Sequence, residues 1–120
     1  MLLCSLPAYG QLVVISEIMA DPAPSAGLPE CEYVELRNTG FWEVTLDGWQ
    51  LVCDDDTIEL TGAVILPYDY LVLCRASHAG DMTGYGMVFP VERMPNLSNA
   101  GESLFLMNRN GRMVSCVKYS

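Results

Sequence analysis

The chain has 120 residues, 51% of them hydrophobic and 18% charged, with a formal net charge of −9. That length supports one domain around one modest core, and that hydrophobicity excludes a disordered chain. The acidity argues against nucleic acid as a partner, because phosphates demand a basic face, and against docking on anionic lipid.

Met1-Leu2-Leu3-Cys4-Ser5-Leu6-Pro7 is apolar without a basic start, and Ala8-Tyr9-Gly10 has the small-x-small pattern of a signal-peptidase site before Gln11. Residues 1–10 are therefore expected to be a signal-peptide remnant or a disordered N-terminus. Residues 11–120 form a single domain, expected to be cut from a longer protein and to work in the periplasm, at the cell surface or outside the cell. Leu3 is bulkier than the residue a lipoprotein cleavage site wants before Cys4. No other stretch approaches the about 20 apolar residues of a membrane helix.

Strand signals then recur at short spacing. Leu12–Met19 alternates, with Val13, Ile15 and Glu17 on one face and Leu12, Val14 and Ile18 on the other. Residues 21–29 carry three prolines and read as a rigid surface loop. Glu32–Asn38 sets Val34 and Leu36 against Tyr33, Glu35 and Arg37, the pattern of a strand with one wet face, and Asn38-Thr39-Gly40 supplies turn chemistry. Val44–Leu46 and Trp49–Cys53 flank the Asp47-Gly48 turn. Asp54-Asp55-Asp56 must be a solvated tip, since adjacent carboxylates repel.

Thr57–Leu60 and Ala63–Leu66 read as short strands across Thr61-Gly62, and Tyr70–Cys74 as a central apolar strand after the Pro67-Tyr68-Asp69 turn. Arg75–Gly86 reads as a loop, Met87–Phe89 as a brief strand and Pro90–Gly101 as irregular. Ser103–Met107 and Arg112–Tyr119 close a hairpin on Asn110-Gly111, a strong turn signal. No helical period is sustained, so the chain is predicted to be an all-β, immunoglobulin-like antiparallel sandwich.

The five cysteines, at 4, 31, 53, 74 and 116, form no CxxC pair, which disfavours zinc and redox sites. A Cys53–Cys74 bridge requires their strands to be neighbours; buried thiols acting as small hydrophobes are the preferred reading of Cys31, Cys53, Cys74 and Cys116. The single histidine, in Ser77-His78 with Asp81, has the ingredients of a triad, but adjacent residues rarely converge on one reacting atom. No catalytic residue, metal site or cofactor is expected.

Glu17, Asp21, Glu30, Glu32 and Glu35, and separately Asp54, Asp55 and Asp56, are oxygen-rich enough to raise calcium, without EF-hand spacing; a solvated acidic surface is the preferred reading. Tyr33 with Tyr85, or Phe41 with Trp42, would make an aromatic platform for a sugar or a partner. The turn pair Phe41 and Trp42 is the stronger, although loop aromatics commonly cover the open end of a core. The candidate contact surface is thus Phe41, Trp42, Asp54, Asp55 and Asp56.

The ordered strings Ile15-Ser16-Glu17-Ile18-Met19-Ala20-Asp21-Pro22, Glu32–Asn38, Leu46-Asp47-Gly48-Trp49-Gln50-Leu51, Ile65–Leu73, Leu97–Leu104 and Asn108-Arg109-Asn110-Gly111 carry a resemblance over most of residues 12–119. The chain resembles the lamin tail domain, in its bacterial extracytoplasmic branch. The resemblance implies an immunoglobulin-like module that binds or tethers and carries no catalytic residues, with Trp49 as a core aromatic. Members of that branch are often appended to secreted hydrolases, including phosphoesterases and nucleases. The coiled-coil rod of true lamins is absent, so filament assembly is not implied. The expected partner is a protein or a cell surface.

Overall fold

A computed structural model describes residues 2–4 (by their backbone), 12–20, 32–54, 56–95, 97 and 101–119. Its strands run in chain order as β1 (Leu2–Cys4), β2 (Val13–Met19), β3 (Tyr33–Asn38), β4 (Val44–Thr45), β5 (Gln50–Cys53) and β6 (Asp56–Glu59), then β7 (Val64–Ile65), β8 (Tyr70–Arg75), β9 (Met87–Val91), β10 (Glu102–Met107) and β11 (Met113–Tyr119). One sheet has the order β1-β11-β10-β5-β6 and the other β2-β3-β8-β9, while β4 and β7 form a small ribbon. This is the expected sandwich, built from strands whose β-branched and leucine side chains alternate with polar ones.

The core lies between the sheets. Val34, Leu36 and Leu73 from one side meet Leu51, Leu104 and Leu106 from the other, all completely buried. Each such side chain contributes about 1.5–3 kcal/mol on burial. β3 follows its alternation: Val34, Leu36 and Asn38 point in, and Tyr33, Glu35 and Arg37 point out. Trp49 is half-buried and packs on this core, as expected of a strand-start aromatic.

Three details depart from strict pattern reading. First, the β2–β3 register shifts between Ile15 and Glu17, so Glu17 faces Glu35 and Ile18 faces Val34. Ser16 is the extra residue of a β-bulge, and its hydroxyl donates to the Glu35 carbonyl and to Glu35 Oε1. The bulge flips the alternation, so Glu17 leaves the face of Val13 and Ile15 and Ile18 packs on the core in its place.

Second, β9 pairs with β8 in parallel and extends through Pro90 and Val91, whereas all other described pairs are antiparallel. A parallel pair needs a crossover. Residues 76–85, expected as a plain loop, supply it as two short 3-10 turns (Ala76–His78 and Thr83–Tyr85) flanking one helical turn, α1 (Ala79–Met82). Met82 seats on the outward-facing Val72 and Cys74, which explains why β8 is buried on both faces.

Third, Leu2–Cys4 pairs as a strand with β11, setting Cys4 opposite Cys116 along the backbone. Cys53 and Cys74 lie in different sheets and no bridge joins them; the buried thiol of Cys53 is the small hydrophobe that was expected. Cys31 and residues 21–30 fall outside the described residues.

The two sheets are joined on one side, where the Ile15 N–H donates to the buried Ser115 Oγ, 3.1 Å away. The opposite side, between β6 and β9, holds a groove of about 350 Å³. At one end the β4–β7 ribbon closes the core, with the Leu46 N–H donating to Ala63 O. Ser115→Ala leaves the Ile15 N–H buried with no partner at that position. We expect it to lower stability by about 1–3 kcal/mol, read as a lower urea midpoint at unchanged slope.

Candidate functional site

Asn38 ends β3 on its inward face and is completely buried. Its Nδ2 lies 2.6 Å from Trp42 O, 3.1 Å from Ile65 O and 3.2 Å from Leu66 O, so two amide hydrogens serve three carbonyls. Its Oδ1 accepts the Gly40 N–H, and its backbone N–H donates to Asp69 O. One side chain therefore ties the turn 39–43 to the turn 65–69. A buried amide repays its desolvation only through such complete pairing.

Gly40 is buried, and a Cβ there would lie 2.6 Å from Leu12 Cδ1. Thr39 completes the anchoring, donating from both its N–H and its hydroxyl to Leu12 O. On this pinned turn Phe41 is 77% and Trp42 75% exposed. Leu66 and Tyr68 stand beside them at 44% and 49% exposure. The Phe41 and Tyr68 rings meet edge to face, 5.6 Å between centroids. Tyr68 holds φ at +61°, a left-handed conformation that costs a bulky residue roughly 1–2 kcal/mol. Nearby on the outer face, Arg37 stacks on Tyr70 at 5.1 Å, and its buried Nε has no hydrogen-bond partner among the described residues.

Phe41 and Trp42 do not cover the end of the core. Closure there belongs to Leu46, Ala63 and Ile65, all buried, which frees the two rings. Large side chains exposed on rigid backbone are the composition of interaction surfaces, since little conformational entropy is lost on contact.

The second candidate, Asp54, Asp55 and Asp56, is at the other end of the sandwich and does not join the aromatic turn. Cys53 and Asp56 pair across a two-residue hairpin loop. Asp54 is exposed with φ at +52°, which Asp tolerates better than most residues; Asp56 is exposed, and Asp55 lies outside the described residues. Burial, with the Glu102, Asp56 and Asp54 carboxylates, pushes the Cys53 thiol up to about 12. Tyr119 donates to Glu102 Oε1, and burial together with Glu102, Glu32 and Asp54 pushes its phenol up as well. Glu32 itself accepts the Leu97 N–H.

Of the remaining candidates, Asp21 and Glu30 lie outside the described residues. Glu17, facing Glu35 and not Glu32, accepts a hydrogen bond from the Tyr33 hydroxyl, and burial with that bond raises the Tyr33 phenol. Among the described residues no group of three His, Cys, Asp or Glu side chains is placed to hold a metal ion. His78 Nδ1 sits 3.9 Å from Asp81 Oδ2, both exposed, in one turn of the crossover.

The residue pattern alone does not show Leu66 and Tyr68 as part of this surface, nor Asn38 as the buried group beneath it. The available signal was parity: Asn38 continues the inward row of Val34 and Leu36, and a polar residue on that row must satisfy itself.

Asn38→Ala strips donors from three carbonyls and is expected to destabilise by about 2–4 kcal/mol. Asn38→Asp, of equal size, turns an oxygen toward those carbonyls and should cost more; equal urea midpoints for the two would contradict the pairing. Alkali gives a separate check. The unfolded chain releases the Cys53 proton from about pH 9.0, well before the native chain does. Stability is then full below that pH and falls as pH rises through 9 toward 12, with Tyr33 and Tyr119 steepening the fall. Urea midpoints from pH 8 to 11 should show the decline, and Cys53→Ala should flatten it.

No curated protein matches this chain. The model of the lamin tail domain family, by contrast, matches residues 7–120, which takes in every strand from β2 to β11, the bulged β2–β3 pair and both candidate turns. With nearly the whole chain matched and the immunoglobulin-like sandwich in place, this protein belongs to the lamin tail domain family.

Proposed function

We propose that the chain is a non-catalytic interaction module of a secreted or cell-surface bacterial protein, used for adhesion or targeting, with Phe41 and Trp42 as its point of contact. The observation that carries this is the exposure of both rings on a turn held by the buried Asn38 amide. The family is an immunoglobulin-like, non-enzymatic one. The strained backbone at Tyr68 points the same way, since such strain persists where the surrounding structure enforces it and it clusters at functional surfaces.

Carbohydrate is the second reading, because exposed rings at the tip of a sandwich suit stacking on a sugar face. A further arrangement, in which the module is the accessory domain of a secreted hydrolase of phosphoesterase or nuclease type, uses the same surface. It is decided by the coding sequence on either side of this segment.

The test uses a Trp49→Phe background, which leaves Trp42 as the single indole of the two in the chain. On titration with intact bacterial cells or isolated cell-wall glycan, Trp42 emission should shift to the blue. The pair Phe41→Ala and Trp42→Ala together, followed by co-sedimentation with the same cells or glycan, should weaken binding at least about tenfold, as for aromatic hot spots. Tyr68→Gly should weaken binding while leaving the unfolding midpoint unchanged or raised, because it relieves the left-handed strain. Binding indifferent to all three substitutions would move the contact elsewhere.

A further inference from the structure

We infer that the free edge of β6 is a docking site for an extended, cationic segment of a partner protein, added as a further strand. The site is separate from the aromatic turn. β6 is the outermost strand of its sheet, and β9 the outermost of the other. Residues 57–59 and 89–93 form the two walls of the groove between them.

The phase of the β5–β6 ladder shows what the edge offers. The Leu60 N–H donates to Trp49 O, which makes those residues a hydrogen-bonded pair next to Gln50 and Glu59. Antiparallel pairs alternate. Leu51 with Ile58 and Cys53 with Asp56 are therefore bonded across the ladder, and Thr57 and Glu59 turn their N–H and C=O groups away from β5. Two donors and two acceptors thus face the groove at strand spacing, which is the template that strand addition uses. The facing wall cannot compete equally, because Pro90 has no N–H to give.

Charge selects the occupant. Asp56 and Glu59 are exposed along β6, and Glu92 is exposed on the opposite wall, against Arg93. Gln50 Nε2 donates to Glu59 Oε1, which holds that carboxylate at the edge. Pairing with a second copy would bring Asp56 and Glu59 against their own kind, between chains each carrying −9. The charges that block self-association favour a segment in which lysine or arginine alternates with an apolar residue. Its apolar side chains would meet the half-buried Phe89 and the buried Ile58 and Val91 in the groove.

The probe is a fluorescent Lys-Val-Lys-Val-Lys-Val peptide followed by anisotropy. Saturable binding is expected, weakening as salt rises, with no binding of the Glu-Val counterpart. Thr57→Pro removes an outward N–H without touching the β5 ladder, and Glu59→Lys reverses a rim charge. Each should weaken binding at least fivefold while Phe41→Ala leaves it unchanged.

The same peptide N-methylated at every residue keeps its charge but loses its backbone donors on both edges, and it should fail to bind. In the unmodified chain, hydrogen exchange at Thr57 and Glu59 should slow when the Lys-Val peptide is present. Equal binding of the N-methylated peptide, no protection at those amides, no saturation at millimolar peptide, or dimerisation through this edge would each overturn the inference.

Discussion

A carboxamide with four partners sits where β3 ends, and one end of the sandwich is arranged around it. Asn38 costs desolvation to bury, and it recovers that cost only if Trp42, Ile65 and Leu66 bring their carbonyls to it and Gly40 its N–H. Satisfying it therefore dictates the path of two separate turns at once. Once those turns are set, the β4–β7 ribbon closes the core beneath them, and the rings of Phe41 and Trp42 have nowhere apolar left to go. Their exposure is a consequence of a polar requirement in the interior.

Much of the fold is legible from residue pattern. The alternation in β3, the Asp47-Gly48 turn and the Asn110-Gly111 hairpin each map onto their elements because the signal is local: period two, or a positive φ that glycine supplies. Gly48, at φ +80°, is also tight against Arg109, whose Cβ would lie 3.0 Å from a new Cβ. The departures have non-local causes. Nothing within residues 13–19 announces a bulge at Ser16; it is decided by which partner residue each side chain meets across the ladder. The helical turns over residues 76–85 are too short to carry a period, and they exist because β9 returns parallel to β8.

The candidate surface divides in the same way. Phe41 and Trp42 stand out in sequence as two large aromatics in a turn, and the triplet at 54–56 as a run of charge. That Tyr68 and Leu66 share a surface with the first pair is not visible, because 25 or so residues of chain separate them and only the Asn38 bonds bring them together. That the acidic run is remote from the aromatics is equally a matter of topology: β3 leads into one turn at its far end, and β5 leads into the other at the opposite end of the sandwich. Asp54 and Asp56 lie at the β5–β6 hairpin, where their carboxylates add to burial in raising the Cys53 thiol.

The two long sides of the sandwich are unequal. Along β2 and β11 a buried hydrogen bond crosses from sheet to sheet, while along β6 and β9 the sheets end in a groove. A molecule joined in this way does not loosen uniformly. Its unjoined margins are expected to open first, so backbone amides of β6 and β9 should exchange faster than those flanking Ile15 and Ser115. The asymmetry gives the domain a rigid spine and a compliant lip, and it places compliance on the margin where a foreign strand has room to enter.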